Sequence, residues 1–280
     1  MKLAIIGDPS RKEQDIVLWE KAKEIYGSAL YVPIDELMIE TGEGCKLKYK
    51  GTDLCEFDSV LPVPTARYKE LFAAVIEVLA NKKIYLPYTF ETLSIMKRRA
   101  LVMSVLRLAR FDVPEMHYIT SERAVDDILN EIRFPVDVII GNNSVVAENV
   151  KELKKFVKIK SSIPGVYIEE HIKAPEVECL VAGNEVVATV AKKGRKVVGV
   201  NVGSEQMKVA VDAVKQFGSV YGSVIFRGNK IVNVSLSPRF ADIGKATAKD
   251  TTRALLEHLK TNVAERRESV LEKMIKLARR

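Results

Sequence analysis

Cysteine is scarce in this chain, and so are histidine, tryptophan and glutamine. The three cysteines, Cys45, Cys55 and Cys179, are odd in number and scattered, with no CxxC among them. The histidines, His117, His171 and His258, show no ligand spacing. Neither a disulfide framework nor a zinc centre is indicated, and a reducing, cytoplasmic location is expected. No apolar run approaches the length of a membrane span. The opening MKLAIIGDPS is too short in its apolar part for a signal peptide and reads as a first strand. Low-complexity linkers and internal repeats are also lacking.

What is present is an ordinary globular composition, 47% hydrophobic and 29% charged over 280 residues. That length supports a sizeable core divided into two or three lobes. The net charge of +7 permits an anionic partner such as nucleotide or RNA. Much of the excess sits in the last segment, however, and does not require one.

Strand-like and helix-like runs alternate from the start. Lys2–Gly7 is a buried strand, 12–26 a helix stopped by Gly27, and Leu30–Val32 a second strand. Lys46–Tyr49 and Gly51–Leu54 form a small hairpin, Ser59–Pro62 a buried strand, 68–80 a helix and Ile84–Leu86 a strand. This order predicts a doubly wound α/β lobe over residues 1–90. A basic helix over 91–110 carries Lys97, Arg98, Arg99, Arg107 and Arg110 and stops before Pro114. Residues 91–172 then form a second α+β lobe. It has strands at Met116–Ile119, Val136–Ile140 and Tyr167–Ile172, helices over 121–134 and 149–158, and a Gly141-Asn142-Asn143-Ser144 loop. Residues 173–280 form a third. Its strands are Glu178–Ala182, Glu185–Ala191 and Lys196–Val200, joined by Gly183-Asn184 and Gly194-Arg195. A helix starts after Gly203-Ser204 and stops at Gly218, a hairpin follows, and a terminal helix begins near Lys249.

The hairpin, Val220 to Arg239 (VYGSVIFRGNKIVNVSLSPR), is the most informative stretch. Its second run alternates, with Ile231, Asn233, Ser235 and Ser237 on one face and Val232, Val234 and Leu236 on the other. A face of small neutral polar groups either lines a site or meets water. Gly228-Asn229 marks the turn.

Taken in order, YKGTDLCEFDSVLP, KRRALVMSVLRLARFDVPEMHYI, VYIEEHIKAPEVECLVAGNEVVATV and VYGSVIFRGNKIVNVSLSPRF resemble the RimK-like carboxylate–amine (glutamate) ligase branch of the ATP-grasp superfamily. The resemblance implies a three-lobed α/β ATP-grasp fold, with ATP between two α+β lobes. It implies γ-phosphoryl transfer to a carboxylate, followed by attack of an amine on the acyl phosphate. In that family two divalent metals are held by an Asp, a Glu and an Asn of the hairpin. Those positions are Ser223, Asn233 and Ser235 here, so the metal site is vestigial and Mg²⁺ has no carboxylate ligand left in it. The SPG that follows in the family is Ser237-Pro238-Arg239. Of the two phosphate-gripping lysines, one aligns with Arg99 and the other near Ile139. The glycine-rich phosphate loop is shortened to Gly141-Asn142-Asn143-Ser144. The family's Asp-x-Arg becomes Glu176-Val177-Glu178. The adenine hinge is retained as Glu169-Glu170-His171-Ile172. The nucleotide-binding candidates implied are therefore Arg99, Glu169, Glu170, Ile172, Glu178 and Arg239.

Each has a plainer reading. Arg99 binds phosphate or sits on a solvated basic face. Glu169 and Glu170 point to opposite faces of a strand, so one at most enters a cleft. Glu178 either replaces a lost ligand or pairs with a cation such as Arg239. His171 reads as a hydrogen-bonded structural histidine and Cys179 as core. The terminal helix, with Val263, Val270, Met274 and Leu277 at helical spacing, reads as docked on the body or on a partner.

The function expected is that of a degenerate, non-catalytic relative, a pseudoenzyme that binds or regulates. Its partner is an active ATP-grasp paralogue or a second copy of itself, and ATP binding is weak or absent and, where present, metal-independent. The alternatives are an active ligase with ligands relocated to Glu176, Glu178 or Asp242, and an RNA-binding protein. A three-residue hairpin loop, Arg227-Gly228-Asn229, is expected to set Ser223 opposite Asn233.

Overall fold

A computed structural model describes residues 1–42, 44–65, 67–96, 98–141, 143–158, 165–194 and 196–278. Lys97, Asn142 and Arg195, and the side chains of Val270, Met274 and Leu277, lie outside the described residues.

The first lobe is built on β1 (Lys2–Gly7), whose last five residues are all buried, as an inner strand of a parallel sheet requires. It is followed by α1 (Lys12–Ile25), β2 (Ser28–Pro33), the short strands β3 (Met38–Glu40), β4 (Lys46–Tyr49) and β5 (Thr52–Asp53), then β6 (Ser59–Pro62) and α2 (Lys69–Asn81). The parallel sheet runs β2-β1-β6, and β3-β4-β5 form a separate antiparallel sheet. The chain leaves β1 towards β2 and returns on its other side as β6. The C-terminal ends of β1 and β6 therefore flank the crevice in which open α/β sheets bind ligands. The strand expected over Ile84–Leu86 is reduced to a single bridge, Tyr85 to Ser59.

The single basic helix expected over 91–110 is two helices, α3 (Phe90–Met96) and α4 (Arg99–Leu108). Arg98 between them has an extended backbone, φ −123° and ψ 91°. No Gly or Pro marks the break, so the apolar periodicity runs through it. Val102, Met103 and Leu106 of α4 pack into the core of the third lobe.

The middle lobe comprises β7 (Met116–Ile119), α5 (Ala124–Ile128), β8 (Val136–Ile140), β9 (Asn143–Ala147), α6 (Val150–Lys158) and β10 (Val166–Glu170), with sheet order β7-β10-β8-β9. The helix expected over 121–134 survives only as α5; turns carry the rest of the segment while its apolar side chains still pack on the sheet.

The third lobe holds β11 (Glu176–Ala182), β12 (Glu185–Lys193), β13 (Lys196–Gly199), α7 (Ser204–Gln216), β14 (Tyr221–Arg227), β15 (Lys230–Ser235), α8 (Phe240–Thr247) and α9 (Thr251–Ala278). Its antiparallel sheet runs β13-β12-β11-β14-β15. Helix α8 gave no sequence signal. It ends on Ala248 in the left-handed region, φ 54°, where glycine is the usual marker.

Helix α9 returns to the first lobe. Leu255, Leu256 and Leu259 join the core formed by β1, β6 and α2. Lys260 Nζ donates to the carbonyl of Ile25 at the end of α1, 2.6 Å away, a favourable place for a cation. The docked reading of this helix therefore holds over its described half.

Candidate functional site: the cleft between the middle and third lobes

Strand alternation sorts the middle sheet into two faces. Val138, Ile140, Ile168 and Ile119 face α5 and α6 and form that lobe's core. The other face carries Tyr167 opposite Ile139 and Glu169 opposite Asp137. On the third sheet Cys179, Val181, Val224, Phe226, Ile231 and Val234 face α4 and α7. The opposite face carries Glu176, Glu178 and Leu180, paired in register with Arg227, Ile225 and Ser223. These two polar faces meet across the interlobe cleft.

The hairpin corrects three expectations and reaches a fourth by a different route. Arg227 pairs with Lys230 around a two-residue Gly228-Asn229 turn, not the three-residue loop expected. A bulge then shifts the register between Ile225 and Phe226, so Ile225 faces Asn233 and Ser223 faces Ser235. Ser223 is therefore opposite Ser235, not Asn233. The extra residue on the β15 side is Val232. It turns Ile231 into the core with Phe226, against the expected face, and leaves Ser223, Asn233 and Ser235 on one face. Ser223 is buried at 1% exposure. The three groups are neutral, and among the described residues no cluster of three or more His, Cys, Asp or Glu could hold a metal. The relocated-ligand residues do not assemble either: Glu176 is tied to Arg227, and Asp242 faces Arg239 at 3.6 Å on exposed α8.

The phosphate-gripping positions fare similarly. Ile139 is an apolar residue on the cleft face. The loop after it is tighter than expected. Ile140 pairs with Asn143, so Asn143 and Ser144 belong to β9, and Gly141 just after β8 takes a φ of 59°. Amides committed to a ladder cannot converge on a phosphate.

Arg99 is neither a solvated cation nor a free phosphate ligand. Its Nε and Nη2 donate to both carboxylate oxygens of Glu169, at 2.5 and 2.6 Å, a bidentate pair with Glu169 only 5% exposed. Glu170, on the other side of its strand, accepts from Lys230 Nζ at 2.6 Å. Burial would raise its carboxyl, but Lys230 and the Glu115 backbone outweigh this and hold it low. Asp137 is the residue that sequence reasoning missed. It is buried, accepts from Arg227 Nη1 at 2.7 Å across the cleft, and bonds His171 Nδ1 at 2.9 Å. Arg227 also donates to Glu176, from Nε at 3.1 Å and Nη2 at 2.7 Å. Burial alone would lower the guanidinium, yet Glu176 and Asp137 together raise it and keep it charged. One acid in an otherwise apolar strand, PVDVII, was the available signal for Asp137. His171 is thus hydrogen-bonded, as read. Cys179 is fully buried and its thiol is pushed up to about 12 by burial.

The remaining candidates are dispersed. In the hinge, Ile172 offers its carbonyl to the amide of Ala174 at 2.9 Å. Glu178 stands on the cleft face opposite Ile225 and Val190. It does not pair with Arg239, which sits on another side of the lobe against Asp242 and lines a pocket facing α1.

No protein-family model matches the chain. Among curated proteins it is 23% identical over 254 residues to "Probable alpha-L-glutamate ligase 1" of Shewanella baltica, covering 79% of this chain and 82% of that protein. It is 24% identical over 251 residues, with the same coverages, to "Probable alpha-L-glutamate ligase" of Photobacterium profundum. Among solved structures, the ATP-grasp ligase PsnB complexed with minimal precursor, Mg and ADP superposes with a TM-score of 0.78 at 14% identity, over 94% of this chain and 98% of that one. The RimK domain protein ATP-grasp from Sphaerobacter thermophilus gives 0.70 at 17% identity, over 92% and 99%. The D-alanine–D-alanine ligase from Bacillus anthracis complexed with ATP gives 0.67 at 16%, over 96% and 99%. With the three lobes, the two facing sheets and these superpositions in agreement, the chain has the ATP-grasp fold, and its sequence is similar to RimK-like glutamate ligases.

Proposed function

We propose that this chain is an ATP-grasp protein that has given up phosphoryl transfer and acts by binding, as a regulatory or partner-binding relative of the ligases. One observation carries the reading: the cleft's two arginines are already spent on its own carboxylates. Arg99 is committed to Glu169, and Arg227 to Asp137 and Glu176. The floor, where hard cations need carboxylates, offers Ser223, Asn233 and Ser235. Acyl-phosphate chemistry needs cations poised to neutralise charge developing on phosphoryl oxygens. A guanidinium that must first abandon a buried carboxylate is not poised in that sense. The residues do not fit Mg²⁺, and no step through a metal is assigned to them. The partner this reading calls for is a complete ATP-grasp ligase chain or a second copy of this one. Calorimetric titration with ATP, with and without Mg²⁺, tests it. Weak or absent binding, the same in both, is expected; sub-micromolar, Mg²⁺-dependent binding would overturn the reading.

A further inference from the structure

An edge strand shows unpaired backbone groups to solvent, and several of this chain's edges are blunted against pairing. In the first sheet β2 ends on Pro33, and its Ala29 carbonyl accepts from Trp19 Nε1 at 2.9 Å. In the third sheet the Ile231 amide of β15 donates to the Asp112 carbonyl at 2.8 Å, and β13 is four residues long and starts on Lys196. On one edge of the middle sheet, β7 has Tyr118 alone exposed.

Strand β9, the other edge of the middle sheet, has none of these devices. Its sequence, NSVVA, holds no charge and no proline. Among the described residues no hydrogen bond from outside the sheet reaches it. Its first four residues are all exposed, whereas a strand covered on one face would bury every second one. Val145 lies opposite Val138 on the core face and Val146 opposite Asp137 on the cleft face, yet they are 37% and 38% exposed. Val150, three residues after the strand, is exposed to the same degree and adds to the apolar surface. Asn143 and Ser144, expected in a phosphate loop, instead lengthen this open edge to five residues.

We propose that β9 pairs antiparallel with β9 of a second copy of this chain, about a two-fold axis at Val145. The inference rests on the reading that the chain acts through a partner, and it commits that partner to a second copy. The strand is complementary to itself. The axis sets Val145 against the partner's Val145, Ser144 against the partner's Val146, and Asn143 against the partner's Ala147. Directly opposite side chains share a face, so the bare valines cover one another and no like charges meet. That matters for a chain of net charge +7, whose copies repel at long range. Alternate residues of β9 aim their N–H and C=O groups outward, and the two-fold pairs each outward set with itself. Such a contact closes as a dimer, whereas β9 pairing with β7 of the next copy would run on without end. Two four-stranded sheets then become one of eight strands. A hairpin β8–β9 built into that sheet is held away from folding over a nucleotide, in keeping with a chain that binds rather than transfers phosphate.

A paired strand edge covers less than the roughly 1,200 Å² of a stable interface, so a dissociation constant of order 10 µM is expected. Analytical ultracentrifugation of the intact chain without ATP, over about 1–200 µM, brackets that constant. The mass should rise to twice that of the chain and stop there. Val145→Lys and Val145→Glu each set like charges across the axis and should each weaken the dimer at least about tenfold. Mixed in equal amounts they set lysine against glutamate, and affinity should return to within about threefold of the parent's, a recovery that misfolded chains cannot give. Tyr118→Lys, on the opposite edge, should change nothing. Hydrogen exchange on the parent alone gives a second reading: amides of residues 143–147 should gain protection as the concentration rises. A monomeric parent, mass growing beyond the dimer, a dimer that neither Val145 variant weakens, or β9 amides whose protection ignores concentration would each overturn the proposal. A monomer that binds ATP weakly would remove this pairing and leave the cleft reading standing; a β9 dimer that binds ATP tightly with Mg²⁺ would do the opposite.

Discussion

The cleft between the middle and third lobes and the crevice at the edge of the first lobe treat buried charge in opposite ways. In the cleft both arginines are paired, Arg99 with Glu169 and Arg227 with Asp137 and Glu176, and on the other side of β10 Lys230 holds Glu170. In the crevice, Asp15 is buried with no ion pair of its own, and burial pushes its carboxyl up against the opposing pull of Arg11 and the Tyr31 hydroxyl. Internally neutralised sites are held for structure, because a bound ion would have to compete with a covalently tethered one. A buried carboxyl without an ion pair weakens the fold wherever it ionises. The cleft between the middle and third lobes is therefore the quieter of the two regions in this chain.

The sharpest way to break the comparison is to unpair the cleft. Arg99→Leu leaves Glu169 buried and alone, which should cost about 3–5 kcal/mol. The double variant Arg99→Leu/Glu169→Leu should recover most of that, because removing both charges also removes the desolvation penalty. Chemical denaturation of the single and double variants measures the coupling. A single variant as stable as the parent would mean the pair is not closed in solution.

Asp15→Asn should do the reverse. In the folded chain Asp15 holds its proton to about pH 6, against 3.8 for the free side chain. The folded state therefore binds more protons than the unfolded state between those values. Asp15's contribution is fully favourable below about pH 4 and is lost as pH rises through 6. A shift of about two units corresponds to roughly 3 kcal/mol. Since the surroundings relax around an ionised group, a gain of about 1–2 kcal/mol for Asp15→Asn at pH 7.5 is the expected size. Its stability profile between pH 4 and 7 should also be flatter than the parent's. A variant less stable than the parent at pH 7.5 would show that Asp15 has a structural partner after all.

Lys230→Ala should have the smallest effect, below about 1 kcal/mol. Lys230 and Glu170 are both partly exposed, and water screens their attraction. A loss comparable to Arg99→Leu would mean that the two lobes are latched by this outer pair as much as by the inner one.

Much of this was legible in the sequence because strand alternation is local. The shared face of Asn233 and Ser235, the opposite orientations of Glu169 and Glu170, and the buried Cys179 all follow from a period of two. The bulge at Val232 is not local in that sense. It is set by how β15 must face both a core and a cleft, and it reversed the expected side of Ile231. The break at Arg98 carries no helix-stop residue, and the left-handed Ala248 that ends α8 is not a glycine. The ion pairs join residues 70 and 90 positions apart, Arg99 to Glu169 and Arg227 to Asp137. Only the fold could show that the arginine aligned with a phosphate position already had a partner. Asp15 and Tyr31 come from separate elements, and nothing in their local sequence distinguishes Asp15 from any other acid in the first turns of a helix.

The most direct test of the central claim is the titration of the intact chain with ATP in the presence and absence of Mg²⁺. The account predicts weak or no binding and no difference between the two. Tight binding that appears only with Mg²⁺ would mean that the cleft's ion pairs open to build a metal–nucleotide site, and would contradict it.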